Sequence, residues 1–461
     1  MLQRYIGDRY FYRRVLAVAL PIIIQNGITN FVSLLDNIMV GQVGTVQMSG
    51  VAIVNQLMFV FNLCIFGAVS GAGIFTAQYF GSQKHEGIRH TFRFKILIGV
   101  ILTILGIALL LTSGQSLIGL YLQGDGSPEE AAQTLSYGWQ YLLVMLWGLP
   151  AFALSTSYSS TLRECNQTMV PMVAGICAVL VNLCLNYILI FGHFGFPMMG
   201  IRGAAMATVI SRYIELAIVA SWTHLHSDQN PFIRSAFRSM HIPRQLFGQI
   251  MTKGFPLLIN EALWSIGMAV LNQSYSTRGL DVVAAQNISS TLYNLSSVVF
   301  LSMGNAVGII MGQMLGANRS EAEIRDQNSK LMATSVLSCL MFGGLMASMS
   351  GIFPRIYNTT NDVRTLATML ICISAIMMPF NAYTNACYFT LRSGGQTMVT
   401  FLFDSCYVWL VCVPLAFLLS RYTTIPIIPL YAICQATDIL KSTIGAIMVK
   451  KGRWIQNLAI K

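Results

Sequence analysis

Charge is what this chain has least of. Only 10% of its 461 residues are Asp, Glu, Lys or Arg, whereas soluble domains carry about 25%. A chain this poor in charge and 55% hydrophobic is a polytopic membrane protein. Acidic residues are scarcer than basic ones, 17 against 28, but the excess does not imply a nucleic-acid partner. Most Lys and Arg fall in short segments between apolar runs, where they set orientation in a membrane. The ten cysteines form no CxxC pair and no zinc spacing; they read as small apolar fillers. GxxxxGK[ST], HExxH and GxSxG are all missing, so the sequence carries no enzyme signature and no means of ATP-driven pumping by this chain alone. No cofactor is expected. A cleavable leader is not expected either, because Arg4, Arg9, Arg13 and Arg14 run straight into a full-length apolar segment.

The apolar runs are about 20 residues or longer, which means helices rather than the roughly 10-residue alternating strands of a barrel. Twelve spans are predicted, near 15–39, 50–80, 94–121, 134–162, 169–192, 200–225, 245–273, 283–315, 328–353, 364–391, 397–420 and 424–449. Charge alternates across this plan. The amino terminus is basic, segment 41–49 has no Lys or Arg, and the next loop holds Lys84, Arg89, Arg93 and Lys95. An acidic loop with Asp125, Glu129 and Glu130 follows. Later basic loops hold Arg163; Arg234, Arg238 and Arg244; Arg319 and Arg325; Arg392; and Lys450, Lys451 and Arg453. An even number of spans then puts both termini in the cytoplasm.

The chain is duplicated. PIIIQNG at 21–27 aligns with PLLINEA at 256–262, an offset of 256 − 21 = 235. Gly73, Gln78 and Gly81 then fall on Gly308, Gln313 and Gly316. TLRECNQTMV at 161–170 pairs with TLRSGGQTMV at 390–399, an offset of 390 − 161 = 229, with seven identities in ten. Six spans per half give parallel repeats, a plan that transporters use with the cavity between halves and alternating access by rocking. The expected lobes are 1–228 and 229–461, joined by a linker at about 226–244 that contains Pro231 and Pro243. Gly304, Gly308, Gly312 and Gly316 step by four, which lets helices approach closely. Pro21 and Pro256 lie inside spans, where each removes a backbone hydrogen bond.

The stretch Pro21–Gly41 is apolar yet carries Asn26, Asn30, Ser33, Asp36 and Asn37. Positions 26, 30, 33 and 37 share one helical face, with Asp36 beside it. A carboxylate within a span costs about 2.5–3.5 kcal/mol on insertion scales and is a functional-site hypothesis by default. Asp36 is therefore the expected binder of a proton or a sodium ion. Among the other intramembrane acids, Glu215 follows Arg212 by three residues and Asp438 precedes Lys441 by three; both read as structural pairs. Asp404 has no local partner and is expected to be hydrated. Glu261 is the second candidate, on a face with Ser265 and Asn272. Asn182 and Asn186 sit one turn apart, Thr208 lies in span six, and Asn381, Thr384, Asn385 and Tyr388 form a face in span ten. An oxygen-rich pocket with a single carboxylate suits sodium, or a proton on Asp36 alone.

These residues resemble the multidrug and toxic compound extrusion (MATE) family over essentially the whole chain. The resemblance rests on PxxxxN…LxDxxxVG from Pro21 to Gly41, AQxxG at 77–81, TLRxxxQT at 161–168 and 390–397, NxxxNYxLIFG at 182–192 and GIRGAAxAT at 200–208. It implies an all-α membrane fold of twelve helices in two pseudo-symmetric six-helix lobes around a central cleft. It also implies exchange of H+ or Na+ for amphipathic or cationic organic compounds, drugs and toxins among them. The coupling site then falls on Asp36, with Asn182, Asn186 and Thr208 as companions and Glu261 as a seventh-span acid; Asn26, Asn30, Asn381 and Tyr388 are secondary candidates. Many members carry aspartate where Asn186 stands, and some where Asn381 stands. The expected partners are a drug-like organic cation and the lipid bilayer, with no nucleic acid, the chain working as a monomer in the plasma membrane. A flippase for a lipid-linked precursor, of related fold, is the competing reading. A strongly basic cavity would suit it, and only Arg212 and Lys441 are intramembrane cations here.

Overall fold

The structure, a computed structural model, describes residues 5–122, 128–357 and 359–459. Asp125 of the expected acidic loop lies outside the described residues. Among the described residues, twelve helices are long and apolar enough to cross a membrane. They are α1 (Arg9–Gly41), α2 (Thr45–Gly81), α3 (His85–Leu120), α4 (Pro128–Glu164), α5 (Met169–Phe191), α6 (Ile201–Leu225), α7 (Arg244–Ser276), α8 (Asp281–Gly316), α9 (Glu321–Met349), α10 (Asn361–Ser393), α11 (Thr397–Tyr422) and α12 (Ile427–Lys450). Among the described residues the secondary structure is entirely helical. A helix bonds its peptide groups within its own segment, which is what a lipid surround demands of a spanning chain.

The chain forms two compact units. One comprises Ile24–Thr76 and Lys84–Gly254; the other comprises Met1–Ile23, Ala77–Gln83 and Phe255–Lys461. Pro21 and Pro256 each lie within two residues of the point where α1 and α7 pass from one unit to the other.

In the first unit α3 packs on α4, α4 on α6, and α5 along α6. Val54, Ile65, Leu142 and Ala205, none of them exposed, fill its core. The α5–α6 crossing is close because Gly203 faces the Leu189 carbonyl group, where a Cβ would lie 2.6 Å from the oxygen. The linker is held by α3. Arg93 donates to the carbonyls of Ala236 at 2.7 Å, Ser235 at 2.9 Å and His241 at 3.0 Å.

Arg93 and Lys95, expected in a loop, are buried inside α3, which starts at His85. The apolar run marks only the lipid-facing part of a helix. Its polar first turns are helical as well, and they find partners on other helices. Lys95 Nζ, fully buried, donates to Glu164 Oε2 at 2.5 Å, Ser160 Oγ at 2.8 Å and Thr161 Oγ1 at 3.1 Å.

In the second unit the same pairing recurs, α9 on α10 and α10 on α12, with α8 lying along α10. The repeated AQYFG and GQMLG segments meet here. Gly81 abuts the Gln313 carbonyl, and Gly316 abuts the Gln78 carbonyl. The glycine steps read from the sequence as packing within a lobe; Gly304 and Gly308 do face Phe389 of their own half, but Gly81 and Gly316 join the sequence-equivalent helix ends of the two halves.

Candidate functional site

Asp36 lies near the end of α1, half-buried. The apolar run around it makes the helix, and α5 supplies what the carboxylate lacks. Asn186 Nδ2 donates to Asp36 Oδ1 at 2.8 Å. Asn182, one turn earlier on α5, bridges to α6. With its amide nitrogen towards the acid it donates to Asp36 Oδ2 at 2.8 Å, and its oxygen accepts from Thr208 Oγ1 at 3.3 Å. Both carboxylate oxygens are thereby engaged by neutral donors rather than by a basic side chain. Asn186 is only 2% exposed, and its Oδ1 has no hydrogen-bond partner among the described residues. A buried acceptor without a donor costs about 1–3 kcal/mol. With the Asn182 nitrogen turned to the acid and its oxygen bonded to Thr208, the oxygens left to serve a cation are those of the carboxylate and Asn186 Oδ1, hard donors of the kind a monovalent cation takes.

The four residues Asp36, Asn182, Asn186 and Thr208 are thus brought together. Asn26 is half-buried and Asn30 exposed, while the partners of Asp36 come from α5. Tyr141, missed by sequence reasoning, is a buried neighbour. It donates to Asn55 Oδ1 at 3.5 Å and lies within the field of Asp36 and Arg212. No spacing rule marks one tyrosine in an apolar helix as different. Glu215 accepts from Ser155 and lies in the fields of Arg212 and Arg163, so its charge is shared with two arginines rather than with the i−3 neighbour alone. Arg212 stacks on the Phe152 ring, 4.6 Å from its centroid.

The other unit holds the remaining candidates. Glu261 on α7 is half-buried, with Arg392 and Asp404 as its nearest charges. Tyr388 on α10 is buried and takes a bond from Asn260 Nδ2 at 3.4 Å. Asn381 lies apart from these, donating to the Tyr293 hydroxyl at 3.2 Å. Asp404 corrects the expectation of a hydrated, partnerless acid. Lys441 donates to its Oδ1 at 2.7 Å and Asn260 to its Oδ2 at 3.0 Å. Lys441, expected to pair with Asp438, makes its direct ion pair with Asp404 instead, and Asp438 acts on it only through space. Helical spacing brings Asp438 within reach, but the ammonium turns across to α11. All ten cysteines are free thiols.

Twelve membrane-length helices in a duplicated chain, with ionisable side chains bonded inside the spans, define a polytopic membrane transporter. The profile described as MatE matches the chain twice, over residues 21–188 and 256–418. The chain belongs to this family, the multidrug and toxic compound extrusion transporters. Among curated relatives it is 24% identical over 452 residues to the probable multidrug resistance protein NorM of Thermotoga maritima, covering 96% of this chain and 93% of that protein. It is 23% identical over 428 residues to the probable multidrug resistance protein YoeA of Bacillus subtilis, covering 90% and 89%. A solved outward-facing multidrug resistance MATE transporter of the MOP superfamily superposes with a TM-score of 0.85 at 18% identity, covering 97% of this chain and 98% of that one. That likeness speaks to the fold, two six-helix lobes.

Proposed function

We propose that the chain is a secondary active antiporter that exports amphipathic or cationic organic compounds in exchange for H+ or Na+. It would work as a monomer in the plasma membrane with both termini in the cytoplasm. Its two lobes, 1–228 and 229–461, would alternate access. Asp36 carries the coupling ion, Asn182, Asn186 and Thr208 complete its shell, and Glu261 offers a second charge contact. The observation that carries this reading is the shell itself. An intramembrane acid is held by two amides and beside an orphan acceptor, with no basic side chain bonded to it among the described residues. One charge moving through 100 mV supplies about 2.3 kcal/mol, roughly fifty-fold in concentration. The names of the curated relatives, multidrug resistance proteins, support a drug-like substrate.

The test is efflux of a fluorescent organic cation from vesicles under imposed proton or sodium gradients. Asp36→Asn is expected to abolish gradient-driven efflux while leaving the protein folded. Coupled transport at the wild-type rate in that variant would remove Asp36 from the role.

A further inference from the structure

The unit that includes Phe255–Lys461 holds a set of charges the Asp36 shell does not use. Asp404 lies where α11 widens into π-helical turns, at Leu402–Cys406 and again at Val408–Cys412. Such turns interrupt α-helices most often at functional positions. Its two oxygens are held differently. Oδ2 accepts from Asn260 on α7, and Asn260, 1% exposed, is itself clamped. The Asn260 amide oxygen accepts from the Ser405 backbone at 3.3 Å and hydroxyl at 2.7 Å. The carboxylate is therefore oriented without help from Lys441.

Oδ1 meets the Lys441 ammonium at 2.7 Å. That ammonium also lies 5.5 Å from the centroid of the Phe403 ring and 5.8 Å from that of Tyr407. Both rings are buried. A carboxylate beside two aromatic rings is the chemistry that recognises an organic ammonium, and here a side chain of the protein fills it. A buried ion pair is weak evidence of a stability role, because replacing both partners by apolar residues is often neutral, although removing one partner alone is costly. Asp404 keeps 19% of its side-chain surface and Lys441 9%. The lysine rides on a flexible four-carbon stem, while its partner is fixed. Around them Asp438 and Glu261 add negative charge and Arg392 positive.

We propose that Asp404, Phe403 and Tyr407 form a binding site for a monovalent organic cation, with Lys441 as its tethered competitor. The incoming ammonium or phosphonium takes the place of the lysine ammonium at Asp404, and the lysine swings aside. This rests on the export reading above and gives it a second charge contact that is independent of Asp36.

The experiment is equilibrium binding of tetraphenylphosphonium to the purified full chain in detergent, with thermal unfolding run in parallel. Removing a competitor tightens binding, whereas removing a structural pair does not. Lys441→Met and Lys441→Gln are expected to bind about tenfold more tightly than wild type, and Asp404→Asn about tenfold more weakly. Phe403→Leu, which keeps every charge, is expected to bind several-fold more weakly. Folded Lys441 variants that bind with wild-type affinity or less overturn the inference. If neither Lys441 variant folds, Phe403→Leu decides, and unchanged affinity there overturns it. Wild-type protein that binds no organic cation sinks the export reading itself, a different result from wild-type binding that ignores Lys441.

Discussion

Replacing Asn186 with aspartate would set a second carboxylate against the first. Asn186 Nδ2 now donates to Asp36 Oδ1 at 2.8 Å; the variant removes that donor and puts an acceptor oxygen in its place. Two carboxylate charges roughly 4 Å apart repel by about 4 kcal/mol at an effective dielectric constant near 20. At 1.36 kcal/mol per decade this is a factor of roughly a thousand. The pair relieves that repulsion by holding one cation. A proton can serve, or a sodium ion.

The expected result for Asn186→Asp is sodium binding tighter than wild type by two to three decades, on the order of the repulsion it relieves, measured by isothermal titration at pH 8.5 in a potassium-free buffer. The gain should shrink at pH 5.5, where protons compete for the same oxygens. Efflux of an organic cation by the variant should become sodium-dependent. Asn186→Leu is the control: it loses the donor without adding charge and should gain no sodium affinity. If Asn186→Asp binds sodium within threefold of wild type at the higher pH, the two side chains do not share one ion, and the geometry assigned to the shell is wrong.

Two further substitutions test the frame around the site. Lys95→Met removes the ammonium bonded to Glu164 Oε2 and should cost about 3–5 kcal/mol in stability; adding Glu164→Leu should restore most of it, read by denaturant unfolding in detergent. Gly203→Val drives a branched side chain into the Leu189 carbonyl group where α5 and α6 cross, and should both destabilise the protein by about 1–3 kcal/mol and impair Asp36-dependent efflux, because Thr208 and Asn182 would no longer meet at this spacing.

What could be read along the chain was whatever is local or repeated. A lone acid in an apolar run, a pair of asparagines one turn apart, and seven identities between distant decapeptides need no third dimension. Asp36, Asn182, Asn186 and Thr208 were therefore visible, and so was the duplication that the recurring α3–α4 and α9–α10 packing displays. Helix ends were read poorly because a membrane selects only for the apolar middle of a span. Lys95 looked like a loop residue, yet it is buried by Glu164, sixty-nine positions away. The same blindness misjudged Asp404, whose partners Lys441 and Asn260 stand 37 and 144 positions from it. Charges inside a membrane must be answered, but a one-dimensional reading sees only answers three or four residues off. Where it found one, as for Asp438 and Lys441, it assigned the pair; where it found none, as for Asp404, it assigned water. The ammonium has a choice between two carboxylates, and it goes to the one already oriented by Asn260 and walled by Phe403 and Tyr407. That preference belongs to the packing of α7, α11 and α12, which no helical spacing along the chain reports.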